Sequence, residues 1–368
     1  MEARVLQERL ARALNIVSRV AASTRAALPV LSNILIRADG NKLTLTATNL
    51  ELATVNFLSA KVSKGGTITV PAKLLAEFVS NLPKGVDVEM VSRDNKLTVK
   101  AGQYKSVMNG IVADDFPELP QIDEKKAVKF KIGVDDFRGA IAEVVMASSN
   151  DTTRPALTGV YFNTHEGKLF IAATDGYRLA ERMFIDKVVS EVFTIVPTTS
   201  LQEVLRSITD EVEEIEMLLD DSQVRFRLGE MEITSKIIDG SFPDYRQLIP
   251  KKTDIVVELN REEFIRMAKM AALFARESGG SVVCETTQTD KQFLISAVAS
   301  ELGENTSYIE ADVKEDGKVV LNCRFLMDAL GAASTESLSF GFSGKLAPVV
   351  IRNVGSGDYT HIIMPLKS

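Results

Sequence analysis

Cysteine and histidine are almost missing from this 368-residue chain, which holds two of each: Cys284, Cys323, His165 and His361. Two distant cysteines argue against a disulfide scaffold or a cysteine metal cluster, and both are expected as free buried thiols. Neither histidine stands in a ligand spacing such as H-E-x-x-H, and His165, in Asn163-Thr164-His165-Glu166-Gly167, reads as a hairpin tip. No window reaches the ~18 consecutive apolar residues of a membrane-spanning helix. The first residues lack the basic-then-apolar layout of a signal peptide, so a soluble, cytoplasmic protein is expected.

Motifs of catalysis are missing too. There is no G-x-G-x-x-G and no phosphate-cradling P-loop; Gly344-Lys345 lacks the upstream glycine and the following Ser or Thr. Gly341-Phe342-Ser343-Gly344 is not a G-x-S-x-G elbow. The acidic pairs Asp114-Asp115, Asp135-Asp136 and Asp220-Asp221 are sequence neighbours, which point apart in an extended segment and read as solvated loop or helix-start acids. No catalytic set, metal site or cofactor is expected.

What the chain has is ordinary globular composition, with 45% hydrophobic and 25% charged residues, enough for two or three domains. Its 43 basic and 50 acidic residues give a net charge of −7. That balance argues against a wholly nucleic-acid-coated surface and leaves room for a local basic face.

The dominant feature is repetition. Ala173-Thr174-Asp175-Gly176-Tyr177-Arg178-Leu179-Ala180 ends a predicted strand and turns through a glycine. An altered version stands at Ala47-Thr48-Asn49-Leu50-Glu51-Leu52-Ala53, and a fainter one runs from Ala297 to Gly303. Leu43 and Leu169, Pro71 and Pro197, and Phe116 and Phe242 are each 126 residues apart. One offset across three kinds of element indicates duplication, and Leu169 to Phe293 and Ile237 to Ile362 extend it to a third copy at 124 and 125 residues. Such a period is too long for a solenoid, so each copy is expected to be a domain of two helices and several antiparallel strands.

Within copy one, the spacing of Leu6, Leu10, Leu14 and Val17 predicts an amphipathic helix over 5–20. A hairpin follows around Asp39-Gly40, with Thr48 to Ala53 continuing its second strand, and a short helix runs from Ala72, behind Pro71, to Pro83. Strands are expected at 86–90, 97–100 and 104–111, before a proline-rich linker at 115–120. Copy two repeats this with a helix over 134–147 and a hairpin over 159–173. Copy three has helices over 261–276 and 323–332 and strands over 281–298. Arg9, Arg12 and Arg19 share the flank of the first helix, and Arg266, Lys269 and Arg276 recur in copy three, with Glu262 and Glu263 in the first turn where the dipole favours them. Copy two offers Arg138 and Arg206. These could be solvated faces, or a repeated basic lining for a phosphate backbone with no base readout.

Several of these stretches carry a family resemblance. Leu28-Pro29-Val30-Leu31-Ser32-Asn33, Val70-Pro71-Ala72-Lys73, the Ala173–Ala180 stretch, Ser235-Lys236, Asp239-Gly240, Phe242-Pro243-Asp244-Tyr245 and Met364-Pro365 resemble, in order and spacing, the bacterial DNA polymerase III β subunits, the sliding clamps. The likeness covers essentially the whole chain. It implies an α+β protein of three tandem clamp domains, 1–122, 123–251 and 252–368, each with two helices packed on antiparallel sheets. Two chains would pair head to tail into a six-domain ring with helices lining the hole. The implied function is to encircle duplex DNA and tether the replicative polymerase, so that processivity comes from topology, with no catalysis and no cofactor.

The resemblance also implies residues. One part of a groove for the short, largely apolar peptide tails of polymerases, the clamp loader and repair proteins matches Leu157, Thr174, Gly176, Tyr177, Arg178, Leu179, Pro243 and Leu248. The other matches Arg154, Gln247, Pro348, Ile362, Ile363, Met364, Pro365 and Leu366. Pro155 and Ala156 stand where some relatives carry aromatics, and Gln247 where some carry a base. Arg25, Lys73, Arg12 and Arg266 are the implied DNA contacts. Phe78 and Leu82, facing Leu273 and Phe274 of a second chain, are the implied dimer seam, with Ser106 where some members place an aromatic. Read without the resemblance, Leu157, Leu179 and Leu248 are ordinary core. Two other functions compete: a nucleic-acid-modifying enzyme whose acids converge only in three dimensions, and a peptide-binding adaptor without DNA.

Overall fold

A computed structural model describes residues 1–22, 28–119 and 121–367. Copy one runs β1 (Glu2–Leu6), α1 (Gln7–Ala22), β2 (Asn33–Asp39), β3 (Lys42–Thr48), β4 (Leu52–Ser59), β5 (Lys61–Lys64), β6 (Gly66–Pro71), α2 (Ala72–Ser80), β7 (Asp87–Arg93), β8 (Lys96–Ala101) and β9 (Tyr104–Asn109). Copy two runs β10 (Val128–Gly133), α3 (Val134–Val145), β11 (Gly159–His165), β12 (Lys168–Thr174), β13 (Arg178–Ile185), β14 (Phe193–Pro197), α4 (Thr198–Ser207), β15 (Glu214–Leu219), β16 (Gln223–Leu228) and β17 (Met231–Lys236). Copy three runs β18 (Ile255–Asn260), α5 (Arg261–Ala275), β19 (Ser281–Thr287), β20 (Gln292–Ala299), β21 (Gly303–Glu310), β22 (Gly317–Asn322), α6 (Cys323–Ala332), β23 (Ser337–Phe342), β24 (Val349–Asn353) and β25 (Tyr359–Ile363). The two helices per copy and the order of elements repeat as the 126-residue offset requires.

The elements form where the side-chain period dictates. Leu10, Leu14 and Val17 are fully buried along α1, as are Phe137, Ile141 and Val144 along α3. Asn260 and Asn322 cap α5 and α6, accepting from the backbone N–H groups of Glu263 at 3.1 Å and Arg324 at 2.9 Å. Helix α1 packs on α2 and lies against β3 and β4, and α5 packs on α6 and lies against β20 and β21. Phe264, Phe293 and Phe340 meet edge to face at 5.1–5.6 Å in the core of copy three. Both cysteines are free and buried.

The chain divides into two compact units, 1–134 with 202–237, and 135–201 with 238–368. The first holds a sheet in the order β5-β1-β7-β8-β9 and another in the order β10-β15-β16-β17-β4-β3-β2-β6. The second holds β14-β11-β12-β13-β25-β24-β23-β18 and β21-β20-β19-β22. Each eight-stranded sheet joins four strands from one copy to four from the next. Strand β17 lies antiparallel to β4, with Ser235 opposite Leu52, and β25 lies antiparallel to β13, with Ile362 opposite Leu179. Copy two is therefore split between the units, because the hydrogen-bonded ladder runs unbroken across each boundary between copies.

Several local expectations are corrected. The first helix begins at Gln7, since β1 occupies 2–6 and alternation buries Ala3 and Val5 while Leu6 is exposed. Strand β3 does not continue from Thr48 to Ala53 but turns sharply at Asn49–Glu51. Pro71 caps α2 from outside its first turn, and α3 stops at Val145. Helix α5 ends at Ala275 and tightens into a 3-10 turn closed by Gly279 at φ 64°. The proline-rich linker is pinned at its start, where Phe116 is buried with Val30 and Leu31.

Candidate functional site

The corner between β12 and β13 is built by its own side chains. Thr174 Oγ1 donates to the carbonyl of Arg178 at 2.6 Å and accepts from the N–H of Gly176 at 3.1 Å. Asp175 Oδ1 accepts from the N–H groups of Tyr177 and Arg178 at 2.9 and 3.0 Å. Gly176 sits at φ 92°, and Arg154 Nη1 lies only 3.5 Å from where a Cβ would stand. Copy one makes the same turn: Thr48 Oγ1 donates to Leu52 O at 3.0 Å, and Asn49 Oδ1 accepts from Glu51 and Leu52. There the left-handed position falls on Leu50, at φ 75°. The repeated motif is thus a repeated hydrogen-bond pattern.

Successive residues of β13 point to opposite faces of the sheet. On one face Leu179, 3% exposed, meets Ile362 of β25, Ala172 of β12 and Tyr245. The Phe-Pro-Asp-Tyr segment crosses this face, with Phe242 stacked on Tyr161 at 4.8 Å and edge-on to Tyr245 at 6.0 Å. The Tyr245 hydroxyl bonds Glu181, and Asn163 Nδ2 donates to it at 3.0 Å. Burial, reinforced by the Glu181 carboxylate, pushes the phenol well above its ordinary pKa, so it remains a donor. Arg246 pairs with Glu181 at 3.0 Å and lies over Phe170, 4.4 Å from its centroid. These contacts hold the 242–249 segment as a fixed wall.

Around that floor the apolar side chains are uncovered: Tyr177, Leu248, at 57% exposure, and Met364. Pro243 and Gln247 are exposed, and Pro348, Pro365 and Leu366 are half-buried. The N–H of Met364 donates to Tyr177 O at 2.8 Å, and that of Leu366 to Val320 O at 2.8 Å, which fixes the tail beside the corner. Leu157 is buried in the 3-10 turn Pro155–Thr158, where its carbonyl accepts from the N–H of Ser149 at 2.8 Å. Of the expected groove residues, Leu179 and Ile362 thus form a buried floor, and Tyr177, Leu248 and Met364 are the exposed apolar residues around it. A shallow apolar trough with a few polar groups suits a peptide side chain.

Arg178 and Ile363 belong to the opposite face. The Arg178 guanidinium is nearly buried, pairs with Asp175 at 3.1 Å, bonds Asp328 and the Met146 carbonyl, and lies over Phe325 at 4.5 Å. Saturated in this way, it positions the corner and is not an open wall. A cavity of about 380 Å³ opens beside it, between Arg154, Tyr177, Phe325 and Asp328. Arg154 itself is tied to Asp151 at 3.2 Å. On the same face His361 is fully buried, with Nδ1 3.0 Å from the Tyr359 hydroxyl. Burial, with the nearby Arg178 cation, pushes its pKa down to about 3. Asp175 and Asp328, which hold Arg178, lie outside the expected site residues. The Thr-Asp-Gly turn chemistry marks Asp175 in the sequence, whereas nothing local marks Asp328.

The remaining expected residues lie elsewhere. Arg25 falls outside the described residues. Arg12 donates to Glu211 at 2.6 Å, Lys73 stands 3.9 Å from Glu77, and Arg266 is exposed. Phe78 and Phe274 are half-buried and Leu273 is 58% exposed. Leu82, at 5% exposure, packs within its own chain. Among the described residues no group of three His, Cys, Asp or Glu side chains could hold a metal ion, and no helix is long and apolar enough to cross a membrane.

Three family models match consecutive parts of the chain: the DNA polymerase III β subunit N-terminal domain over 1–120, the central domain over 131–244 and the C-terminal domain over 246–367. The "Beta sliding clamp" of Synechococcus elongatus is 30% identical over 371 residues, covering 98% of each chain, and that of Synechocystis is 30% identical with 98% coverage of each. Among solved structures, the sliding clamp of Pseudomonas aeruginosa is 27% identical, with a TM-score of 0.93 and full coverage of both chains. That of Bacillus subtilis is 26% identical at a TM-score of 0.94, over 100% of this chain and 99% of that one. Repeat, sheet topology and sequence likeness converge along the whole length, and the chain belongs to the DNA polymerase III β subunit family, the bacterial sliding clamps.

Proposed function

We propose that two copies of this chain close head to tail around duplex DNA, with seams made by β21 of each copy and β9 of the other. The observation that carries this is the pattern of sheet edges. Copy one joins copy two through β4 and β17, and copy two joins copy three through β13 and β25. By the repeat, β21 is the counterpart of β4 and β13, and β9 of β17 and β25. These two strands are left as free edges, one on each unit. Unpaired edges invite pairing, and a heterologous contact repeated twice closes a ring. Tyr104 and Val107 on β9, and Tyr308 on β21 with Leu302 just ahead of it, are exposed apolar side chains at those edges. Phe78, Leu273 and Phe274 extend the apolar seam, with Leu82 supporting it from below.

The family function is that of a processivity factor, a tether for the replicative polymerase and not an enzyme, so the enzyme alternative is set aside. Finer assignments are part of the same proposal. The domain limits lie at 122/123, between β9 and β10, and at 251/252, between β17 and β18. The trough over Leu179 and Ile362, rimmed by Tyr177, Leu248 and Met364, takes the apolar tails of the polymerase, clamp loader and repair proteins. Basic side chains of α1, α2 and α5, with Arg25, face the DNA, and the protein works in the cytoplasm. Sedimentation tests the seam: the wild-type protein runs at twice the mass of one chain, and Leu273→Asp, which buries a charge there, shifts it to the monomer. A Leu273→Asp protein that stays dimeric would overturn this assignment.

A further inference from the structure

Arg12 and Arg19 of α1 are not free. Arg12 Nη1 donates to Glu211 Oε1 at 2.6 Å. Arg19 Nε donates to Glu203 Oε1 at 2.9 Å, and its Nη2 donates to Ser207 Oγ at 2.9 Å, whose hydroxyl in turn donates to Glu203 at 3.2 Å. Arginines of copy one are thus held by α4 of copy two and the loop behind it. Helix α5 differs: among the described residues Arg266, Lys269 and Arg276 have no carboxylate within ion-pair range. Both helices carry cations at the same spacing, but among the described residues only Arg12 and Arg19 of α1 are given counterions.

We propose that Glu211 and Glu203 are built-in counterions that compete with DNA phosphates for Arg12 and Arg19, and so set how weakly the ring holds the duplex along which it slides. This rests on the ring reading above. A phosphate reaching Arg12 must displace a carboxylate already at hydrogen-bond distance, so one ion pair is exchanged for another with little net gain in an exposed setting. The two pairs differ in reach. Arg12 and Glu211 are 57% and 75% exposed at the side chain and exchange readily, whereas Glu203 is 8% exposed and keeps Arg19 out of play.

The test is the one-dimensional diffusion of labelled, loaded rings on stretched duplex DNA. Glu211→Gln keeps the shape of the side chain and removes its charge, which frees Arg12. Each new phosphate contact adds a salt slope of about −0.9. The variant should slide more slowly than wild type at 50 mM salt, with the difference shrinking about 3.5-fold per freed arginine by 200 mM. Adding Arg12→Gln should restore wild-type diffusion. Glu262→Gln makes the same charge change on α5, where the carboxylate holds none of these cations, and should have little effect. Wild-type diffusion in Glu211→Gln, equal slowing by Glu262→Gln, or persistent slowing in the double variant would each overturn the proposal. Retention on closed circular DNA is scored in parallel: failure of wild type to be retained defeats the ring reading, whereas retained rings with unchanged diffusion defeat only this inference.

Discussion

Leu248 and Leu179 occupy the same trough at opposite extremes of burial, which separates binding from folding. Leu248 is 57% exposed. Complete burial of a leucine side chain is worth about 1.5–3 kcal/mol, so covering the remaining fraction with a peptide contributes about 0.9–1.7 kcal/mol. Leu248→Ala should therefore weaken a fluorescent peptide from the C-terminal tail of the cognate replicative polymerase by about 4- to 18-fold. Its folding stability should move by no more than about 0.5 kcal/mol, as expected of an exposed position. Leu179, packed among Ala172, Tyr245 and Ile362, should lose peptide affinity and about 2–4 kcal/mol of stability together when cut to alanine. Anisotropy titration gives the first quantity and urea unfolding of each unit the second. Unchanged affinity in a stable, folded Leu248→Ala protein would refute the placement of the peptide.

Two further predictions concern the fold. His361 is buried neutral with its pKa held down at about 3, against about 6.5 when unfolded, so its contribution is complete above pH 6.5 and is lost as pH falls towards 3. By pH 5 it should cost about 2 kcal/mol of stability in the unit that holds it, and His361→Gln should flatten that part of the pH profile in thermal melts; an equally steep profile would refute the assignment. Leu50 occupies a left-handed conformation where copy two has Gly176, so Leu50→Gly should stabilise the first unit by about 1 kcal/mol in denaturant unfolding, and destabilisation would contradict the strain argument.

The repeat, the two helices per copy and most strands were legible because they rest on local signals: apolar period, Asp-Gly and Glu-Gly turns, and prolines at 71 and 83. What was not legible depends on partners far away in the chain. Strand β17 pairs with β4 nearly 180 residues earlier, and no local pattern announces that ladder, so the compact units cut through copy two. Leu6 reads as the first helical leucine because its spacing fits, yet pairing of β1 with β7 takes residues 2–6 into a sheet. At the trough, the sequence pointed to the corner and the tail together. It could not separate Leu179 from Arg178, because which face of β13 lies under Tyr245 is set by the path of the 242–249 segment. The pairing of Arg12 with Glu211 was equally invisible, since the two meet only across the boundary between copies.

A ring that encircles the duplex holds DNA by topology. The direct measurement is to load the protein onto nicked circular plasmid with a clamp loader, isolate the complex, and then linearise the DNA with a single restriction cut. Topological binding predicts stable retention on the circle at salt that disrupts ordinary electrostatic binding, followed by loss from the ends once the circle is opened. Equal retention on circular and linear DNA, or release from both as salt is raised, would contradict it.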